Sequence, residues 1–241
     1  MNNEKITIDK KIKNSNDDTI LDILNDVLFG KILPFLFFGF FTIAHSINLL
    51  KLYRTYSKNL TPLVEMKLFH YSITIVFFFM MTYLYIVRSK PKDRTESLYQ
   101  KIIAFLGSFI IMLSPLVKNP ETDSMNVMII SFIFILIGGI LTLYSLSHLK
   151  RNFSIIPEAR SLVKTGPYKF IRHPMYLSEI LWVFGSVLPI FSKGILVLYS
   201  LMVIFLFMRA NFEEEILSKN FEEYEELKKS NWQIIPFFGK K

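Results

Sequence analysis

The residues best suited to chemistry fall in two short stretches. The first is 148–182, HLKRNFSIIPEARSLVKTGPYKFIRHPMYLSEILW. Gly166-Pro167-Tyr168 makes a turn, Arg172 and His173 follow, and Pro174 takes the favoured first position of the next helix. A helix starting there turns its unpaired backbone N–H groups and positive dipole end toward the loop, which suits a carboxylate or a phosphate. His173 adds a donor or acceptor at the same end, with Tyr176 on the first turn. The second stretch is Arg209 with Glu213 and Glu214; Arg209 and Glu213 are four apart and share a helix face. Each stretch also has a plainer reading. Loop cations follow membrane orientation, with Tyr and Trp anchored among headgroups. Arg209 can snorkel from a solvated helix whose acidic residues continue at Glu215, Glu222, Glu223, Glu225 and Glu226.

Other chemistries lack their residues. The chain has no Cys, which removes thiolate catalysis, cysteine metal sites and disulfides. Its four His are too few for a His-rich di-iron centre, and no metal site is expected. Two facing His could hold a haem, with His45, His70 and His148 as candidates, but polar punctuation of a helix bundle is the commoner role. No Ser-His-Asp set, Gly-rich phosphate loop, nucleotide-binding βαβ pattern or internal repeat is present.

The elements that must carry these residues are membrane helices. Of 241 residues 51% are hydrophobic, 24 are Phe and mean hydropathy is +0.37, while the 20% that are charged fall between long apolar runs. That distribution excludes a soluble enzyme and predicts an all-α integral membrane protein. The apolar runs are 28–50, 67–87, 101–117, 125–147 and 175–208. As one helix the last would be roughly 50 Å long against a hydrocarbon core of about 30 Å. Pro189, Lys193 and Gly194 divide it into 175–190 and 194–209, a tight hairpin with a short first arm. About six spans result. Residues 1–27 read as a polar tail with an amphipathic helix from about Ile20 to Leu28, 28–147 as a four-helix membrane region, and 148–241 as the part bearing the chemistry. The tail after 209 reads as helix to about Lys229, ending in an apolar cap from Trp232 to Phe238.

The net charge of +8 points to orientation, not to nucleic acid. Six spans put 21 Lys and Arg on the side of the termini and six on the other, so the positive-inside rule places both termini and the two long loops, 88–101 and 148–174, in the cytoplasm.

Taken together, LVKTGPYKFIRHPMYL, the apolar hairpin, R-x-x-x-E-E-x-x-L and the F-x-x-Y…I-I-P ending resemble the isoprenylcysteine carboxyl methyltransferase family and its relatives, the phospholipid N-methyltransferases. The resemblance covers about residues 145–237 and implies a membrane-embedded enzyme that uses S-adenosylmethionine (SAM) without a Rossmann fold. It implies a cofactor site from Gly166, Tyr168, Arg172, His173, Pro174, Tyr176, Leu177 and Glu214, with Arg209 and Glu213 as catalytic residues. In that scheme Arg209 holds an acceptor carboxylate, Glu214 or else Glu213 takes the ribose hydroxyls, His173 and Tyr176 meet the amino-acid part, and Leu177 packs on the adenine. Departures are Ser178 and Glu179 where many members have Gly, and Asn220-Phe221 in place of Phe-Gly.

The expected reaction is carboxyl O-methylation of an isoprenylcysteine-like or other lipophilic carboxylate, the substrate entering sideways from the bilayer. A carboxylate is already ionised and needs alignment rather than a base. The closest rival, N-methylation of a phospholipid amine, needs a proton acceptor such as Glu179 or Glu213. A membrane scaffold or small transporter, and a reductase using NADPH, are the alternatives of other classes.

Overall fold

The structure, a computed structural model, describes residues 32–58, 60–89, 91–117, 124–237 and 239. The tail and the amphipathic helix expected near 20–28 lie outside the described residues. The helices are α1 (Leu33–Tyr56), α2 (Pro62–Val87), α3 (Leu98–Phe109, extended by a 3₁₀ segment Ile110–Leu116), α4 (Met125–Leu149), α5 (Pro174–Val187), α6 (Lys193–Asn220) and α7 (Tyr224–Ser230). Five are long and apolar enough to cross a membrane. The sixth, α5, with its 3₁₀ end Leu188–Ile190, spans roughly 25 Å at 1.5 Å per residue and is the short arm anticipated from Pro189. Polar caps start the helices where the sequence allows. Thr61 accepts from the Val64 amide, Ser97 from Gln100 and Ser192 from Ile195, while Pro62 and Pro174 occupy first turns.

Large apolar side chains on the outside, such as Phe40, Ile43, Phe79 and Ile140, would be a liability in water; against lipid tails they are ordinary. The chain is an all-α integral membrane protein crossing the bilayer several times.

Helix pairing follows small residues. The two arms of the α5–α6 hairpin diverge from their turn: α5 lies along α4 and α6 along α3. A Cβ on Gly138 of α4 would sit 2.6 Å from the Trp182 backbone nitrogen of α5, and one on Gly185 of α5 would sit 2.7 Å from the Ser131 carbonyl of α4. Ser131 donates to the Gly185 carbonyl at 2.6 Å and Thr142 to the Ser178 hydroxyl at 2.8 Å, so the contact is both close and hydrogen-bonded. Gly138→Ala is expected to destabilise the protein by about 1–3 kcal/mol, because two backbones must separate. Gly39→Ala, at a position with open space, is expected to be neutral or stabilising; thermal unfolding in detergent compares the two.

Two features depart from expectation. The helix after 209 does not run to Lys229. Asn220 turns its amide back onto the Ile216 carbonyl and onto Asp93, the backbone becomes extended at Phe221, and a separate short helix α7 follows. Second, the loops 88–101 and 148–174 are joined by a two-residue antiparallel pairing, β1 (Asp93–Arg94) with β2 (Glu158–Ala159). Lys219 and Asn220 both bind Asp93, and Lys164 binds Glu223. Both long loops and the segment after α6 therefore meet on one side of the bundle, as the cation count requires.

Candidate active site

At that side the chain passes through Gly166 with φ +58°, where a Cβ would also meet the His148 ring at 2.6 Å. Glycine is thus required there by backbone shape and by packing on α4. The turn delivers Tyr168, then Arg172 and His173, to the start of α5. Here the C-terminal segment returns as a strand-like strip: the Arg172 and His173 amides donate to the Trp232 and Gln233 carbonyls, and the Trp232 amide to Phe170. The His173 carbonyl takes the Tyr176 and Leu177 amides, and Pro174 has no N–H. The N–H groups expected to face a ligand at this helix end are therefore mostly engaged within the protein.

Arg172, 7% exposed, organises the region. Its Nε donates to Glu214 Oε1 at 2.8 Å, Nη1 to the carbonyls of Lys228 (3.0 Å) and Asn231, and Nη2 to the Gly239 carbonyl at 2.8 Å. Glu214 Oε1 also lies 3.2 Å from His173 Nε2, while its Oε2 is buried with no hydrogen-bond partner among the described residues. Glu214 stands behind the cavity wall, bound to Arg172; of the two neighbours, Glu213 is the one on the cavity surface.

A second knot surrounds Arg209, which is 3% exposed on α6. Its Nε donates to Glu213 Oε1 at 3.2 Å, Nη1 to Ser108 Oγ of α3 at 2.9 Å, and Nη2 to the Ser154 carbonyl at 2.8 Å. The guanidinium lies 4.7 Å from the Tyr176 ring centre, a cation–π contact. Tyr176 donates its hydroxyl to Glu213 and stacks on His173, centroids 5.2 Å apart and planes within 8°. His173 Nδ1 is 3.6 Å from Glu213 Oε2. His173 and Arg209 thus both pack on the Tyr176 ring, and Glu213 reaches all three.

These groups face a cavity of about 290 Å³. Its polar end holds Tyr168, Arg172, His173, Glu213 and Asn231 under a roof of residues 152–163. Its other end is apolar, between Phe38 of α1, Phe77, Phe78 and Met81 of α2, Phe109 of α3 and Trp182 of α5. Arg209, Tyr176 and Glu179 line it too. The Tyr168 hydroxyl is buried with no hydrogen-bond partner among the described residues, and burial, helped by the Glu213 charge, holds its pKa far above the usual phenol range. It therefore stays a neutral donor available to a ligand.

Of the residues expected from sequence, the structure brings Tyr168, Arg172, His173, Tyr176, Arg209 and Glu213 onto the cavity. Gly166, Pro174 and Leu177 do not line it: Gly166 packs on the His148 ring, Pro174 is fully buried at the start of α5, and Leu177 packs against the core formed by Ile110, Met202, Leu206 and their neighbours. Sequence reasoning passed over Ser108, Ser154, Asn231 and the Arg160–Glu158 pair (2.5 Å, both side chains under 5% exposed). The P-E-A-R sequence from Pro157 was the one signal available for that pair. Among the described residues no His, Asp or Glu group could hold a metal ion.

Fold and site together define a multi-pass membrane protein with a buried polar site that opens into an apolar cavity. Residues 126–224, from α4 into α7, match the phospholipid methyltransferase family model, which lies in the isoprenylcysteine carboxyl methyltransferase-like superfamily of membrane methyltransferases. Over these residues the chain is similar to the membrane methyltransferases of that superfamily. SAM is the methyl donor general to the family. No curated protein matches the chain at a significant level.

Proposed function

We propose that the protein transfers a methyl group from SAM to a headgroup of a lipophilic acceptor that enters from the bilayer. The observation that carries this reading is the continuity of one cavity from a polar end beside the loops to an aromatic end among membrane helices. SAM supplies an electrophilic methyl group on a sulfonium, so the protein's task is alignment and exclusion of water. Tyr168, His173 and Glu213 are the groups best placed to hold it: an unpartnered neutral donor, an imidazole and a carboxylate on one wall. Glu214, proposed from sequence for the ribose, acts in this scheme by holding Arg172 and His173. The cytoplasm, where SAM is made, is the compartment we assign to this side, in line with the cation count.

Two acceptor classes fit a lipid-facing cavity. A prenylcysteine-like carboxylate would pair with Arg209, as the sequence first suggested. Yet Arg209 already binds Glu213, Ser108 and Ser154, which leaves it little to offer a second anion. A phospholipid amine agrees with the family description and with Glu179, a cavity carboxylate left over once Arg160 pairs with Glu158, Arg172 with Glu214 and Arg209 with Glu213, and we favour it.

The test uses detergent-purified full-length protein with radiolabelled SAM, offered phosphatidylethanolamine vesicles in one arm and a prenylated cysteine in the other. Methyl label stable to base marks an amine product, and base-labile label marks an ester. Transfer to neither, with no S-adenosylhomocysteine binding by calorimetry, would defeat the methyltransferase reading of the site.

A further inference from the structure

We infer that Glu179 is the residue that selects an amine acceptor and receives its proton. The inference rests on the methyltransferase reading above and goes further, naming the acceptor's chemistry and the group that reads it. The charged side chains facing the cavity are Arg160, Arg172, Arg209, Glu158, Glu179 and Glu213. Arg160 pairs with Glu158, Arg172 with Glu214 behind it, and Arg209 with Glu213. Glu179 alone makes no hydrogen bond or salt bridge among the described residues, although it is half-buried on α5 where it lines the cavity. The titratable groups that act on it electrostatically are Arg209 across the cavity on α6 and Tyr176 on its own helix, and both are committed to Glu213. α2 and α3 present only Thr74, Ser108 and apolar side chains to the cavity, and α4 presents Thr142 and Leu149.

A lone carboxylate in such a place is costly unless a cation or proton joins it. Glu179 is one helical turn from Tyr176, on the way from the polar end to Trp182, one turn further along. A lipid entering tail-first toward the aromatic end passes its headgroup by this position. An ammonium headgroup there meets an opposite charge; a carboxylate headgroup meets a like one.

The chemistry follows and balances. The ammonium R–NH₃⁺ gives one proton to the Glu179 carboxylate, leaving R–NH₂ and a neutral acid. The amine lone pair then forms the N–C bond to the methyl carbon while the S–C bond breaks, its electron pair staying on sulfur. The products are R–NH₂–CH₃⁺ and S-adenosylhomocysteine, and the proton on Glu179 returns to solvent after release.

Glu179→Gln keeps the shape and removes the charge, and Glu179→Asp keeps the charge one methylene further back. Both would be assayed for methylation of phosphatidylethanolamine vesicles and of a prenylated cysteine between pH 7 and 9.5. Calorimetry would use S-adenosylhomocysteine and sinefungin, which carries an ammonium in place of the sulfonium. The expected result is that Glu179→Gln binds both nucleosides as wild type does, which shows it folded, but loses about 100-fold or more in amine methylation at pH 7. The deficit should narrow at high pH, where solution supplies neutral amine, and Glu179→Asp should recover part of the rate. Loss of sinefungin binding with S-adenosylhomocysteine binding intact would make Glu179 the counter-ion of the sulfonium and overturn the inference. So would a wild type that esterifies the prenylated cysteine and ignores the amine, a result that leaves the methyltransferase reading standing. Absence of nucleoside binding in wild type would remove that reading and the inference with it.

Discussion

Arg172→Ala is expected to abolish S-adenosylhomocysteine binding and release the C-terminal segment while leaving the membrane helices assembled. The side chain reaches four acceptors that no local interaction holds together: the Glu214 carboxylate on α6, the last turn of α7 at Lys228, and the carbonyls of Asn231 and Gly239. Truncation leaves Glu214, 2% exposed, without its cation, and removing one partner of a buried pair costs about 3–5 kcal/mol. That exceeds what the short α7 and the parallel pairing of Ile171 with Trp232 can supply alone. Hydrogen exchange should report the change directly. The Trp232 amide, bonded to the Phe170 carbonyl at 3.1 Å, should lose protection, while amides of α4 and α5 near Gly138 should keep theirs. Arg172→Lys should rescue little, because one ammonium cannot span a carboxylate and three carbonyls on different segments. The double variant Arg172→Ala/Glu214→Ala should be no less stable than Arg172→Ala, since much of the single-variant cost is an orphaned charge. Additive costs would mean that the two residues act separately.

The sequence showed the helices well, because an apolar run of twenty residues has few alternatives, and Pro174 and Pro189 mark where the hairpin begins and turns. It showed less of what joins them. The β1–β2 pairing has two residues on each side and no hydrophobic alternation, so no periodicity could announce it. The break at Phe221 depends on Asn220 finding Asp93, more than a hundred residues away. At the site, Arg172, His173, Arg209 and Glu213 were legible because they combine strong chemistry with tight spacing. Their order was not. The two neighbouring glutamates look equivalent in sequence, yet adjacent helix positions point about 100° apart. Glu213 thus meets Tyr176 and Arg209 on the cavity, while Glu214 meets Arg172 behind it. Ser108 and Ser154 were invisible for a related reason: one offers a hydroxyl and the other a backbone carbonyl, and only Arg209 gives them meaning.

Arg209→Met is expected to lower methyl transfer by at least about 100-fold and to weaken S-adenosylhomocysteine binding, whichever acceptor is offered. The reason lies in the geometry of the guanidinium. It joins α6 to α3 through Ser108 and to the cavity roof through Ser154, and it packs on the Tyr176 ring that also stacks with His173. Without it Glu213 keeps the Tyr176 hydroxyl but loses its cation, a charge only 17% exposed. The His173–Tyr176 stack then lacks the lid that fixes its angle. Arg209→Lys should fall near Met rather than near wild type, because a single ammonium can satisfy Glu213 or Ser108 but has no flat face for Tyr176. Ser108→Ala removes one of the three donor contacts and should cost about 1 kcal/mol, measurable as a lowered thermal midpoint with cofactor affinity nearly kept. A different pattern would identify a different role. If Arg209→Met bound nucleoside normally and lost only methylation of a carboxylate acceptor, Arg209 would be the acceptor's anchor, and the charge balance that singles out Glu179 would have to be drawn again.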